Sequence, residues 1–159
     1  MSTVVVPTRT IPTAKQETAA PIVAAVDHSA ASRTAVGEAI RLGCELDAPV
    51  VFVYVRRGPA GFFGTPVYQR RLTKAMTRAQ RVLGRALEVA AGAGVDAEGV
   101  ILEGSPRRRI AEFARDRDAR LVVVGSRRRR LGPSVSSGVV RAAGRPVVVA
   151  RGRARLAVT

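Results

Sequence analysis

Two polar turns stand about a hundred residues apart, and each closes a short apolar run. Asp27-His28-Ser29 follows Pro21-Ile22-Val23-Ala24-Ala25-Val26, and Gly125-Ser126 follows Leu121-Val122-Val123-Val124. A carboxylate at a strand tip can accept hydrogen bonds from sugar hydroxyls or an exocyclic amine. A glycine after a strand lets the backbone come close to a phosphate. Ser134-Val135-Ser136 opens a further helical stretch, and N–H groups at a helix start, with hydroxyls beside them, hold anions. Between these turns lie Arg127, Arg128, Arg129 and Arg130, which can neutralise phosphate by charge. Each feature also has a plain structural use: Asp27 and Ser134 suit helix caps, and the arginines suit a solvated basic turn. His28 is the single histidine and Cys44 the single cysteine, so neither has the companions that a metal site needs. No Ser-His-Asp set, no paired carboxylates on one element and no nucleophile beside a base can be picked out. Binding, not catalysis, is the expectation.

The elements that must position these residues read out from the apolar pattern. Residues 1–19 are rich in Thr, Pro and Ala without a period and read as a flexible N-terminal tail. The run at Ile22–Val26 is a strand buried on both faces. Ala35, Ala39, Leu42 and Leu46 recur at helical spacing, so a helix is expected from Ala31 to Leu46, with Cys44 as buried filler. Val50–Val55 is a second strand. A Gly/Pro loop follows to Pro66, with Phe62-Phe63 exposed or folded over the sheet tip. A long helix covers 67–91, with Leu72, Met76, Ala79, Leu83, Leu87 and Ala90 on one stripe. Val95–Leu102 is a third strand. Ser105-Pro106 opens a helix through Arg117, with Ile110, Phe113 and Ala114 inward. Leu121–Gly125 is the fourth strand, Ser134–Ala143 a short helix and Val147–Ala150 the fifth strand. Strands alternating with helices imply a parallel sheet with right-handed crossovers and helices on both faces. In such sheets ligands sit beyond the carboxyl ends of the strands, where strand order reverses. The turns at 27 and 125 are therefore expected side by side on one rim.

A chain of 159 residues makes one domain with a core of its own. A single cysteine forbids an internal disulfide and fits the reducing cytoplasm. No apolar run is long enough to span a bilayer, and no charged start with a sustained apolar segment marks a secretory signal.

Pro21–Asp27 with Ser29, Gly104-Ser105-Pro106 with Ile110 and Ala114, and Leu121–Arg127 resemble the matching segments of universal stress proteins. So does Ser134-Val135-Ser136 through Arg145-Pro146-Val147-Val148-Val149. The likeness spans about residues 20–151, leaving 152–159 as a basic C-terminal tail. It implies an α/β fold of the adenine nucleotide alpha-hydrolase kind: a five-stranded parallel sheet in the order 3-2-1-4-5. It also implies homodimerisation through the fifth strand and a stress-response role, with an ATP pocket in some members and none in others. At most, slow ATP hydrolysis would accompany binding. ATP-binding members carry Gly-x-x-Gly, nine residues, then Gly-Ser or Gly-Thr. Position by position, Asp27 matches the aspartate near the adenosine, Val55 the strand position that touches adenine, Gly125 the first glycine and Ser134 the terminal hydroxyl. Ser126 and Arg127 continue the same segment. Departures gather at the phosphates: Arg128 replaces the second glycine, Pro133 falls on the third with Gly132 adjacent, and the loop is shorter. Proline donates no N–H, so the cradle is degenerate and Arg127–Arg130 would have to supply charge instead.

The formal net charge of +15 carries a second reading. Apart from Lys15 and Lys74, every cation is arginine, with clusters at Arg107–Arg109, Arg127–Arg130 and Arg151/Arg153/Arg155. Such a field attracts polyanions, nucleic acid among them. The low aromatic content of 4% counts against single-strand binding, which relies on base stacking.

Overall fold

The computed structural model describes residues 4–6, 19–58, 64–126 and 135–151. The valine-rich runs become β2 (Ile22–Val26), β3 (Val50–Arg56), β4 (Ala97–Glu103), β5 (Leu121–Gly125) and β6 (Val147–Ala150). All four pairings among them are parallel, in the spatial order β4-β3-β2-β5-β6. This is the five-stranded order that the sequence implied. A sixth strand, β1 (Val4–Val6), adds to the outer edge of β4 in antiparallel sense, with Val5 opposite Val100. It falls in the stretch expected to be a tail. Three residues are too few for a readable period, yet a β-branched triplet suits a strand. The edge of β4 also offers unpaired backbone groups to whatever lies beside it.

Helices cover both faces of the sheet, and the alternation of each strand sorts its side chains between them. Ile22, Ala24, Phe52, Ile101 and Val123 pack under α1 (Ala30–Leu46) and α2 (Pro66–Gly92). Val23, Val53, Val100, Val122 and Val124 pack under α3 (Pro106–Asp116) and α4 (Val135–Ala142). The large buried side chains of the two layers each stabilise the fold by about 1.5–3 kcal/mol on leaving water. Helix starts are fixed locally. Ser29 Oγ accepts from the Ser32 N–H at 3.2 Å, and Thr65 Oγ1 accepts from the Tyr68 N–H at 3.3 Å ahead of Pro66. Asp47 closes α1 in the left-handed region at φ 47°.

Cys44 is exposed, not buried as the periodicity suggested. The position turned inward is its neighbour Gly43, where an added Cβ would stand 3.0 Å from both Val50 and Val95. One residue further along a helix is a rotation of about 100°. That rotation carries Cys44 out of the core, leaving Sγ 4.0 Å from the Ala93 carbonyl.

Many arginines are engaged within the fold. Arg41 bridges Glu38 and Glu45 along α1. Arg108 and Arg109 both reach Glu112 at 2.7 Å. Arg115 donates to the Ala142 carbonyl at 2.9 Å and so caps the end of α4. Arg145 meets Asp118 at 2.6 Å. Pairs of this kind near the surface contribute little to stability, because water and salt screen them. They do show that these arginines are held by partners within the fold.

Candidate functional site

Strand register brings the two expected turns together. Val26 pairs with Tyr54, and Ala24 pairs with Val123. Counted on in the same registers, one position past Val26–Tyr54 and three past Ala24–Val123, Val55, Asp27 and Ser126 fall level on three adjacent strands at the carboxyl rim. Val53 and Val55 pack toward α3 and α4, as do Val23, Ala25, Val122 and Val124; Asp27 and Ser126 follow the ends of β2 and β5, two positions after Ala25 and Val124, and so share the parity of that face. Asp27 is exposed, while Val55 and Ser126 are half-buried.

The Asp27 turn is tightly held. The Ser29 N–H donates to Asp27 Oδ1 at 2.7 Å, and the Asp27 N–H donates to Ser32 Oγ at 2.9 Å. The carboxylate is thus aimed by a two-residue Asx turn, and Ser32 is the one buried polar side chain among the described residues. A carboxylate so placed still has the geometry to accept from a diol, since each oxygen offers two lone pairs.

Gly125 is where the sequence put it, but its missing side chain serves the fold. A Cβ there would lie 2.6 Å from the Ala31 carbonyl carbon, and closer still to its oxygen. The glycine lets β5 run directly against the first turn of α1, which is what sets the turns at 27 and 125 beside one another. The Ser126 N–H donates to the Ala150 carbonyl at 2.9 Å. That donor belongs to the β5–β6 ladder, so Ser126 presents its side chain, not its amide, to the rim. Arg127 and Ser134, the other two expected site residues, lie outside the described residues, as do Arg128–Arg130, Pro133 and Phe62-Phe63.

On the opposite face of the same rim, His28 Nε2 lies 3.0 Å from the Tyr54 hydroxyl. The rings meet edge-to-face, with centroids 5.6 Å apart at 68°. The sequence reading singled out His28 as a polar turn residue and missed this partner, because a contact across 26 positions leaves no local signal. Burial lowers the His28 pKa, the Arg78 guanidinium lowers it further, and the Asp27 carboxylate opposes both. Burial also raises the Tyr54 pKa. A folded imidazole that binds its proton less readily than the unfolded one makes stability rise with pH below the ordinary value near 6.5. That contribution is complete above 6.5 and fades as pH falls through the lowered folded value. An NMR titration should therefore place His28 below 6.5, and Arg78→Gln should move it up. A His28 midpoint above 6.5, or no response to Arg78→Gln, would contradict the assignment.

The sequence profile that matches residues 19–151 is that of the universal stress protein family. The chain belongs to the universal stress protein family. Solved structures agree. A universal stress protein from Archaeoglobus fulgidus is 26% identical with a TM-score of 0.68, over 82% of this chain and 92% of that one. A universal stress protein from the same organism, in complex with dAMP, is 25% identical with a TM-score of 0.67, over 82% and 96% of the two chains. Universal stress protein UspA from Lactobacillus plantarum shares the fold, with 23% identity, a TM-score of 0.72 and coverage of 83% and 97%. No curated protein matches the chain in sequence. No helix among the described residues of this universal stress protein is long and apolar enough to cross a membrane.

Proposed function

We infer that this universal stress protein is a stress-response module that binds an adenine nucleotide over the row formed by Val55, Asp27 and Ser126. The observation that carries this reading is the row itself. An apolar platform near the end of β3, an oriented carboxylate just after β2 and a hydroxyl just after β5 fall level when the parallel registers are counted on to the carboxyl rim. That is where open α/β sheets hold ligands. Val55 offers a flat apolar contact for a base, and Asp27 offers acceptors for ribose hydroxyls. The relative in complex with dAMP, at 25% identity, supports the class of ligand. ATP is the finer expectation, with charge from the arginine-rich segment after Ser126 taking the place of glycine-loop donors. The role is binding, with at most slow hydrolysis. The same reading includes a homodimer through β6, the outermost strand beside β5, and a place in the cytoplasm, consistent with a single free cysteine.

Equilibrium titration of the purified chain with AMP and with ATP tests the reading. Saturable binding of at least one nucleotide, competed by the other, is expected. Absence of saturation up to millimolar nucleotide would reject it.

A further inference from the structure

We propose that the outer face of α2 is a docking surface for an acidic amphipathic helix of a partner protein. This inference is independent of the nucleotide reading. α2 buries Ala79, Leu83, Ala86, Leu87 and Ala90 against the sheet. Successive residues of a helix turn by about 100°. The side directly opposite the buried one therefore carries Arg70, Lys74, Arg78, Arg81 and Arg85, all of them exposed. The five cations fall within an arc of about 80° and, at about 1.5 Å of rise per residue, run for about 22 Å. Val67 and Val89 continue the same stripe at its two ends. They are 57% and 56% exposed, the two most exposed large apolar side chains among the described residues.

The other long helices pair their cations with acids of their own. Arg41 sits between Glu38 and Glu45 on α1, and Arg108 and Arg109 share Glu112 on α3. α2 has a single acid in 27 residues, Glu88, beyond the last of the five cations. None of the five forms an ion pair among the described residues. Arg70–Lys74, Lys74–Arg78 and Arg81–Arg85 are like charges at i,i+4, which weaken a helix. α2 thus bears a repulsion that an acidic partner would relieve. The cations follow one another at four, four, three and four residues. A second helix has the same rise, so acids at the same spacings on it meet them in register. Single surface pairs are weak, and the valines supply apolar anchors at both ends that a row of ion pairs lacks. A phosphate backbone offers nothing to those valines, whereas an amphipathic helix can cover them. A second copy of this chain is opposed as the occupant by its own net charge of +15.

The test titrates the full chain with a synthetic helical peptide of about 24 residues, with Glu at the spacings of the five cations and Leu near both ends. A scrambled peptide of the same composition, a DNA duplex and phosphatidylserine vesicles are measured beside it, all at about 0.15 M salt. The patterned peptide should bind at least about 10-fold tighter than the scrambled one. Lys74→Glu combined with Arg81→Glu should weaken it about 10-fold or more. That double variant should melt no lower than wild type, because it sets opposite charges at i,i+4 along α2. The same change of charge made elsewhere, Arg141→Glu on α4 with Arg151→Glu after β6, should alter binding by less than about 3-fold. Val67→Ser with Val89→Ser should weaken it about 3- to 10-fold. Equal affinity for the patterned and scrambled peptides, equal losses in the two charge variants, or no saturable binding of the patterned peptide overturns the inference. Tighter binding of the duplex or the vesicles than of the patterned peptide also overturns it and assigns the stripe to nucleic acid or lipid.

Discussion

Gly125→Ala is expected to cost about 3 kcal/mol and to lower the melting temperature by roughly 6–12 °C. The added Cβ would sit 2.6 Å from the Ala31 carbonyl carbon and 3.0 Å from Ala31 Cβ. The obstacle is helix backbone, which cannot swing aside as a long side chain can. Relief requires β5 and α1 to move apart. Val123 is fully buried against α1 and Val124 nearly so against α3 and α4, so that movement would open both core layers. Gly37→Ala supplies a contrast of opposite sign. Gly37 lies inside α1 with nothing within 4 Å of its absent Cβ. Alanine there should stabilise the helix by about 1 kcal/mol, since glycine is the poorer helix former by that margin. Thermal melts of the two variants beside wild type decide the matter. Equal melting temperatures for wild type and Gly125→Ala would show that the β5–α1 approach is looser than described.

Asp27→Ala is expected to weaken nucleotide binding about 10- to 100-fold. Hydrogen bonds to a charged acceptor contribute about 1.5–3 kcal/mol, and each 1.4 kcal/mol is about tenfold in affinity. The substitution also removes the acceptor of the Ser29 N–H, made at 2.7 Å, so part of the loss would come from a slackened turn. Asp27→Asn separates the two effects. Its amide oxygen can still accept from Ser29, but it carries no charge and turns a donor toward the ribose. Asn should therefore keep wild-type thermal stability while losing most of the affinity. Affinity retained in Asp27→Asn would assign the carboxylate to the helix start alone.

The fold was legible because most of the strands are nearly continuous apolar runs rich in valine. Val50–Val55 and Leu121–Val124 have no alternation, which marks burial on both faces and so a parallel sheet under two helical layers. The rim position of Asp27 and Gly125 followed from topology, since both end strands that the crossovers force to run the same way. Other features had no local trace. Val4–Val6 is too short to show a period, and its strand character exists only against the edge of β4. Cys44 is one position from the inward-facing Gly43, and periodicity resolves a face but not a single residue at its margin. The His28–Tyr54 bond depends on the register of β2 against β3. Gly125 looked like a phosphate-facing glycine, although its nearest neighbour is Ala31, ninety-odd positions earlier in the chain. A glycine tells that something comes close, not what. Arg107 read as one member of a charge cluster, and only its packing against Gly138 of α4 distinguishes it from Arg108 and Arg109, which reach Glu112.

The most direct measurement is an AMP titration of the isotopically labelled chain followed residue by residue through its backbone amide resonances. Saturable shifts concentrated at Asp27, Val55 and Ser126, with smaller ones at the opening turns of α3 and α4, are the expected result. Shifts confined to the α1–α2 face, or spectra unchanged at saturating AMP, would contradict the placement of the nucleotide on this rim.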